Sequence, residues 1–472
     1  MHNRNARSHR ASAALLGLLM CADATNATPA DSALQKAADA IVDAALESGP
    51  YPGISVGIAR RGEVVYAKGF GFADLERRVP VSPEIRFPVG SITKSFTCLS
   101  LMQLVQAGAV DLDATAGTYL PALPEPSRSV KVRNLLNHTS GIPNYTELPD
   151  FPMDKPAGIT REQMLGYFAA KPLQFDSGTR FSYSNSGTYL LGLIIEARSG
   201  ESYDAYVTNH VLKPFAMTRS GFDARDDGAA NRARGYQLTK DGFAPATPYD
   251  FEVPFSAGAL VSTTGDLLKY QRGALGPNAN ADLRKRILAH DALTNGQPNP
   301  YALGCLIETH LDGHRKITHA GDIFGFAADY AYYPDDDLTI AILTNNQSAA
   351  FPPITIEHKL ARVFLGLPEP KRVDLDVPTS LGNTIAGDYN VGAFRFGVDT
   401  LGFVFANGRV ALRLGGVESG AESLPLRYQG DATFVSAVDD EHLFVFEDGA
   451  AGATKLSMHY YEGVIDATKA GR

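Results

Sequence analysis

One serine and one lysine stand three positions apart in FPVGSITKSFT: Ser91 and Lys94. On a helix this spacing puts both side chains on one face, about one turn apart. A neutral amine held there can take the hydroxyl proton and turn a weak nucleophile into a strong one. Spacing alone is a weak signal, since a chain of 472 residues shows about one such pair by chance. The surroundings say more. From Phe96 the segment runs FTCLSLMQLVQAG, and Phe96, Leu99, Met102, Leu104 and Val105 cover more than one face of a helix predicted over 91–107. A lysine in the first turn of a buried helix meets desolvation and the positive end of the peptide dipoles, and both push its pKa down. The bland alternative is a snorkelling lysine beside a helix-start serine. This segment alone does not separate the two.

A second serine competes. Gly53-Ile54-Ser55-Val56-Gly57 matches G-x-S-x-G, the nucleophile elbow of α/β-hydrolases, which needs a strand, a sharp turn and then a helix. Here Ile54, Val56 and Ile58 alternate, and Arg60-Arg61-Gly62 leads into another strand, so Ser55 reads as a strand residue. Two further segments carry polar groups that suit a site. In FSYSNSGTYLLG, Tyr183 and Asn185 can project together; a phenol shuttles protons where cations hold its pKa down, and an amide can bond both a lysine and a substrate. In THAGD, at a predicted strand end, His319 is placed to meet a substrate carboxylate or the Tyr183 hydroxyl, and Ala320 and Gly321 are small enough for a ligand to lie along the backbone. Taken singly, these residues read as a core tyrosine, a helix-start asparagine and a polar strand-end histidine.

The elements that would position these groups follow from periodicity. A helix is predicted over 32–49 and a pair of strands, GISVGIAR and EVVYAKGFGFAD, around Arg61-Gly62. Residues 110–290 are mixed and largely helical. Strand signals return from 300 in YALGCLIETHL, HRKITHAG, GFAADYAYYP and LTIAILTNN, and a helix over about 354–366 closes the region. Strands and a helix from the start thus join strands and a helix from the end, around an inserted helical block. This is an α/β (α+β) arrangement with an antiparallel sheet flanked by helices. LGLPEPKRVDLDVPTS is a Pro-rich polar link. Beyond it, short alternating runs and the Asn407-Gly408 hairpin signal predict an all-β module over 380–472, of about five to eight strands, barrel or sandwich.

Composition sets outer bounds. With 44% hydrophobic residues, 20% charged, and a net charge of −9, the chain is globular and shows no long basic run that would suit nucleic acid. Arg4, Arg7 and Arg10, then ASAALLGLLM, then Ala22-Asp23-Ala24 read as an export leader over 1–24, which predicts a periplasmic or extracellular protein. The apolar run ends at Cys21 in the manner of a lipoprotein signal, but Met20 is a poor residue before that cysteine. No later run is apolar for about 18 residues, so no transmembrane segment is expected in the mature chain. Cys98 and Cys305 are expected to be buried free thiols, and the cysteines lack zinc spacing. His310, His314 and His319 are no metal set, because Asp312-Gly313 between them signals a hairpin turn. No metal or cofactor is called for.

Ser-x-x-Lys, Tyr-x-Asn and His-x-Gly, in this order and at domain-like separations, resemble the penicillin-recognising serine hydrolases. The branch they resemble is that of class C β-lactamases, D-alanyl-D-alanine carboxypeptidases and related esterases. VRNLLNHTSGIPNY (132–145), SAGALVSTTGDLLKY (256–270) and GFAADYAYYPDDDLTIAILTNN (325–346) are similar to the same family, and the resemblance covers about residues 35–365. It implies a β-lactamase/transpeptidase-like fold over 25–370, with 371–472 as a C-terminal β-rich appendage free to shape the site mouth or to mediate self-association. It further implies Ser91 as nucleophile, Lys94 as base, Tyr183 as proton relay, Asn185 as the group positioning Lys94 and substrate, and the N–H groups of Ser91 and Asp322 as an oxyanion hole. His319, Ala320 and Gly321 would line the substrate, a small molecule or a peptide. One departure matters: His319 stands where β-lactamases of this branch usually carry lysine, which suits carboxypeptidase-like or esterase chemistry better. The functional expectation is a secreted hydrolase working through an acyl-enzyme on an amide, peptide or ester. The alternatives are a penicillin-binding or sensing protein that is acylated but turns over slowly, and an esterase using Ser55.

Overall fold

Apolar residues recurring at helical spacing form α1 (Pro29–Ser48). The chain then builds β1 (Gly53–Arg60), β2 (Glu63–Asp74), β3 (Val79–Pro80), α2 (Thr93–Gln106), α3 (Asn185–Ser199), β4 (Tyr301–Ala302), β5 (Leu306–Leu311), β6 (His314–Ile323), β7 (Phe326–Tyr333), β8 (Leu338–Thr344) and α4 (Pro353–Leu365), with shorter helices between α2 and β4. A computed structural model of the chain describes residues 29–471 apart from 49–50, 152–157, 223–230, 348–351, 393, 396–397, 420, 422, 449–453 and 461–462. The leader expected over 1–24, with Cys21, lies outside the described residues.

The eight strands form one sheet in the order β3-β2-β1-β8-β7-β6-β5-β4, antiparallel at every pairing. The first strands join the last because β1 pairs with β8, Ile54 opposite Thr344 and Arg60 opposite Leu338. Ile54, Val56 and Ile58 face α1 and α4, where Ala38, Val42, Ile356, Leu360 and Phe364 cover the sheet. Ser55 points to the other face, fully buried in mid-strand with its Oγ 3.4 Å from Thr264 Oγ1. No helix follows it, so the nucleophile-elbow alternative has no structural basis here. The larger core fills that second face, and α2 runs through it with only a few residues reaching solvent.

Two expectations need correction. YALGCLIETHL is not one strand: a turn at Leu303–Cys305 separates β4 from β5, and Cys305 takes a left-handed φ of 53°. The chain turns there because it is wedged against Ile287, whose Cβ would lie 2.6 Å from a Cβ on Gly304. That turn carries Cys305 to the flank of α2, where it is joined to Cys98 in a disulfide with Cα atoms 5.8 Å apart, so these are not free thiols. A link across 207 positions of sequence leaves no local spacing pattern to read. Cys98→Ser with Cys305→Ser should lower unfolding stability by about 2–4 kcal/mol. Urea denaturation of the oxidised and double-serine chains measures this; equal midpoints would mean the link is not formed.

The C-terminal module is a closed barrel of β9 (Gly387–Val391), β10 (Thr400–Ala406), β11 (Arg409–Leu414), β12 (Leu424–Gly430), β13 (Thr433–Ser436), β14 (Leu443–Asp448), β15 (Thr454–Tyr460) and β16 (Gly463–Lys469). Asn407-Gly408 turns β10 into β11 with φ of 51° and 73°, as a two-residue hairpin requires. Closure removes the exposed strand edges that an open sheet would present. The barrel is tied to the sheet domain by Thr355 donating to Asp439 at 2.7 Å and by buried Arg362 bonding both Asp312 and Glu441. Phe181–Ser182 also pairs in parallel with Phe394–Arg395.

Candidate active site

The site begins with two glycines. Gly90 has φ of 51°, and a Cβ on it would sit 2.8–2.9 Å from backbone atoms of Asp322. A Cβ on Gly321 would lie 2.0 Å from the Val89 carbonyl oxygen and 3.1 Å from Ser91 N. Only glycine at both places lets β6 run directly against the Gly90–Ile92 turn that opens α2. Ser91 therefore sits beside the Gly321–Asp322 backbone.

Lys94 follows one turn later and is wholly buried. Its Nζ lies 2.9 Å from Ser91 Oγ, 2.7 Å from Asn185 Oδ1 and 2.8 Å from the Ala257 carbonyl oxygen. Desolvation pushes its pKa well below the usual lysine range. The partners agree with a neutral amine. Asn185 Oδ1 and the Ala257 carbonyl only accept, so they take its two N–H bonds. The third bond is to the Ser91 hydroxyl, which accepts from an ammonium and donates to the lone pair of a neutral amine. The Ala257 carbonyl is available because the Phe255–Gly258 helix is only four residues long and leaves its carbonyls unpaired within the helix.

Asn185 is the first residue of α3, capped by Ser184. Its Nδ2 donates to Thr146 Oγ1 at 3.2 Å and its N–H to Asn144 Oδ1 at 3.1 Å, which fixes the amide with its oxygen toward Lys94. Tyr183 is half-buried, with its ring centroid 4.8 Å from Lys94 Nζ and 4.5 Å from the ring of His138. His138, at a left-handed φ of 57°, accepts the Ser184 N–H at Nδ1, 3.2 Å away, and so anchors the Tyr183-Ser184 backbone.

His319 lies deeper than expected. It is 1% exposed and is not among the residues that line the cleft. Its Nδ1 donates to the Ala320 carbonyl at 2.5 Å, which leaves Nε2 to accept the Tyr301 hydroxyl proton at 2.7 Å. Desolvation, with Lys94 nearby, holds its pKa down to about 3. Direct contact with a substrate carboxylate is thus not its geometry, and it brings no positive charge to the site. Its alternation with Thr318 on β6 turns the ring inward. His310 and His314 are set apart from it, His314 bonding Asp336.

A cavity of about 260 Å³ opens over the couple, lined by Ser91, Thr146, Asn185, Ala257, Asp322 and Gln347 among others. The structure thus brings Ser91, Lys94, Asn185 and Asp322 together, sets Tyr183 beside Lys94, and leaves His319 behind them. Thr146, His138, Tyr301 and the Ala257 carbonyl were not singled out from the sequence. His138 and Tyr145 fall in the HTSGIPNY run, but nothing in its composition separates a ligand of the backbone from a core residue.

An antiparallel sheet with an inserted helical block, and a serine and neutral lysine at the head of its central helix, define a β-lactamase/transpeptidase-like serine hydrolase. The family profile described as Beta-lactamase matches residues 38–361, and the chain belongs to that family. Protein flp of Staphylococcus aureus (strain MW2) is 30% identical over 337 residues, 69% of this chain; the match spans 65% of that protein's length. A D-aminopeptidase of Gluconobacter oxydans (strain 621H) is 29% identical over 342 residues, 71% of this chain and 63% of its own. The octameric penicillin-binding protein homologue from Pyrococcus abyssi superposes with a TM-score of 0.62 at 25% identity, over 91% of this chain and 99% of that one.

Proposed function

We propose that the chain is an exported hydrolase that cleaves an amide, peptide or ester through an acyl-enzyme on Ser91. The observation that carries this is the Lys94 amine, 2.9 Å from Ser91 Oγ with both its N–H bonds committed elsewhere. Lys94 takes the Ser91 proton as Oγ attacks the carbonyl carbon. The oxyanion forms against the N–H groups of Ser91 and Asp322, each worth about 3 kcal/mol in such sites. The proton returns to the leaving group by way of Tyr183, and water later attacks the acyl-enzyme by the reverse route. Asn185 keeps the amine aimed. Export is supported by the leader reading and by the Cys98–Cys305 link, which persists only in an oxidising compartment.

The substrate class follows from what position 319 does not offer. A neutral imidazole bonded at both nitrogens gives a substrate carboxylate no counter-ion. Neutral esters and amides, including amides of the kind the D-aminopeptidase name implies, fit better than β-lactams or peptides ending in a free carboxylate. Peptides with an amidated C-terminus should show a KM at least about tenfold below that of their free-acid counterparts, the worth of about 1.4 kcal/mol. Equal KM values would remove the argument from His319.

A fluorophosphonate probe should label Ser91 and no other residue, with labelling absent in Ser91→Ala. Mass spectrometry after an activated ester should show the acyl adduct appear and decay. Hydrolysis that survives Ser91→Ala rejects the reading. An adduct that persists for hours marks a binding or sensing protein instead.

A further inference from the structure

The barrel interior is filled unevenly. Around Phe403 the rings stack edge to face, 5.2 Å from Tyr389 and 4.9 Å from Phe446, and Phe434 stands 5.7 Å from Phe446. One step along the strands the filling stops. Leu401, opposite Leu414 on β11, belongs to the next inward layer, and with Leu412, Leu424, Met458 and Ile465 it lines a cavity of about 440 Å³. That volume is in the range of sites that hold small organic molecules. The cavity is closed on its other side by the hydrolase domain, through Ala320, Ala327, Ala328 and Ile354. These are small or aliphatic side chains; the three alanines come from the strand pair that carries Gly321 and Asp322, and Ile354 from the start of α4.

Two residues belong to both cavities. Asp322 and Gln347 line the 260 Å³ cleft over Ser91 and also the barrel cavity, and their side chains hydrogen-bond to each other. The barrel cavity therefore adjoins the cleft at the strand whose N–H would hold the oxyanion, with the Asp322–Gln347 pair at the boundary. Its rim carries unburied apolar surface: Leu414 is 44% exposed and Val438 36%. Large apolar side chains left open around a concavity indicate a ligand surface. Apart from Asp322 and Gln347, its polar lining among the described residues is Ser436 and His442, which offer a charged tail no fixed cation.

We propose that the open end of the barrel is the acyl-group subsite of this enzyme, shaped for an uncharged aliphatic or aromatic chain on the acyl side of the scissile bond. The assignment rests on the acyl-enzyme reading above. Tyr183, which serves the leaving group, packs beside Lys94 and His138 and lines neither the barrel cavity nor the cleft. The group that stays on Ser91 extends past Asp322 instead. In this arrangement the appendage selects the substrate, and the hydrolase domain supplies the chemistry.

The test uses the full chain and p-nitrophenyl esters from acetate to octanoate, which share one leaving group. Each methylene withdrawn from water is worth about fourfold in kcat/KM, so octanoate should exceed acetate by at least about a hundredfold. Leu414→Glu and, separately, Val438→Glu sit at the exposed rim, where folding tolerates a charge. Each should lower the octanoate-to-acetate ratio at least about tenfold. The neutral fluorescent probe N-phenyl-1-naphthylamine should bind Ser91→Ala and be weakened by Leu414→Glu. Hydrolysis absent at every chain length, with probe binding retained and sensitive to Leu414→Glu, overturns the acyl-enzyme reading and keeps the cavity as an apolar site. A flat ester series, or a probe that fails to bind, overturns the subsite.

Discussion

Lys94→Met slows acylation of Ser91 by about 10³-fold, the usual worth of a positioned general base. Methionine matches the length and apolar stem of lysine and removes only the amine. The loss is chemical because, among the described residues, Lys94 forms no ion pair, and desolvation is what lowers its pKa. Lys94→Arg should be as inactive as Lys94→Met. A guanidinium keeps the positive charge but does not give up its proton, so it cannot accept one from the serine. A lysine that merely held the fold or an anion would be rescued in part by arginine. The pH profile gives the sign. Lys94 is a base when neutral, so acylation of the wild type falls as pH drops through its lowered pKa and levels off above it. In Lys94→Met that limb disappears. The measurement is stopped-flow acylation by an activated ester at pH 5 to 9. Lys94→Met within tenfold of wild type, or Lys94→Arg well above it, would show that the amine is not the base.

How much of this was legible in the sequence varies with the range of the interaction. The β1–β2 hairpin, α2, α4 and the late strands follow from local periodicity and turn residues, and the barrel's β10–β11 hairpin from Asn407-Gly408. The approach of Lys94 to Ser91 was also legible, because three positions on a helix fix it. Contacts made by backbone atoms were not. The Ala257 carbonyl that holds Lys94 has no side-chain signature, and it depends on a residue, Phe255, held at a φ of 38°. The Cys98–Cys305 link was misread for the same reason: two apolar surroundings look alike whether the thiols are 5.8 Å or 30 Å apart. His319 was placed on the right strand but on the wrong side of the question. It was expected to line the substrate, whereas burial and bonds from Nδ1 to the Ala320 carbonyl and from the Tyr301 hydroxyl to Nε2 hold it away from the cleft.

Acid should unfold this chain well before its surface carboxylates are protonated. Three histidines are buried: His138, His319 and His358. Desolvation lowers the pKa of each, to about 3 for His319. At His358 a positive neighbour adds to it, because its Nε2 faces the Lys316 ammonium at 2.9 Å. All three have folded pKa values below the unfolded value near 6.5, so their contribution is present above that pH and is lost as pH falls. Below about 6.5 the unfolded chain takes up three protons that the native chain refuses, and stability falls by up to about 1.4 kcal/mol per pH unit for each. Buried Asp329 works the other way. Desolvation raises its pKa to about 8, so the native chain holds a proton there that the unfolded chain releases across this range. Desolvation also holds His442 down to about 4 and raises Asp322 to about 6, so below pH 6 four against two leaves a net loss of about 3 kcal/mol per pH unit. From pH 6.5 to 4 the loss is about 7 kcal/mol, so a chain at the lower end of the usual range of about 5–15 kcal/mol should unfold near pH 5, and a more stable one should be weakened by that amount. Urea midpoints at pH 7.5, 6.0 and 5.0, followed by tyrosine near-ultraviolet dichroism, measure the slope before carboxylates titrate. His358→Gln, whose amide oxygen can accept from Lys316 without taking a proton, should flatten the slope by about one half. A midpoint at pH 5.0 equal to that at pH 7.5 would mean that these rings are not held neutral, and with them would go the neutral His319 on which the preference for uncharged substrates depends.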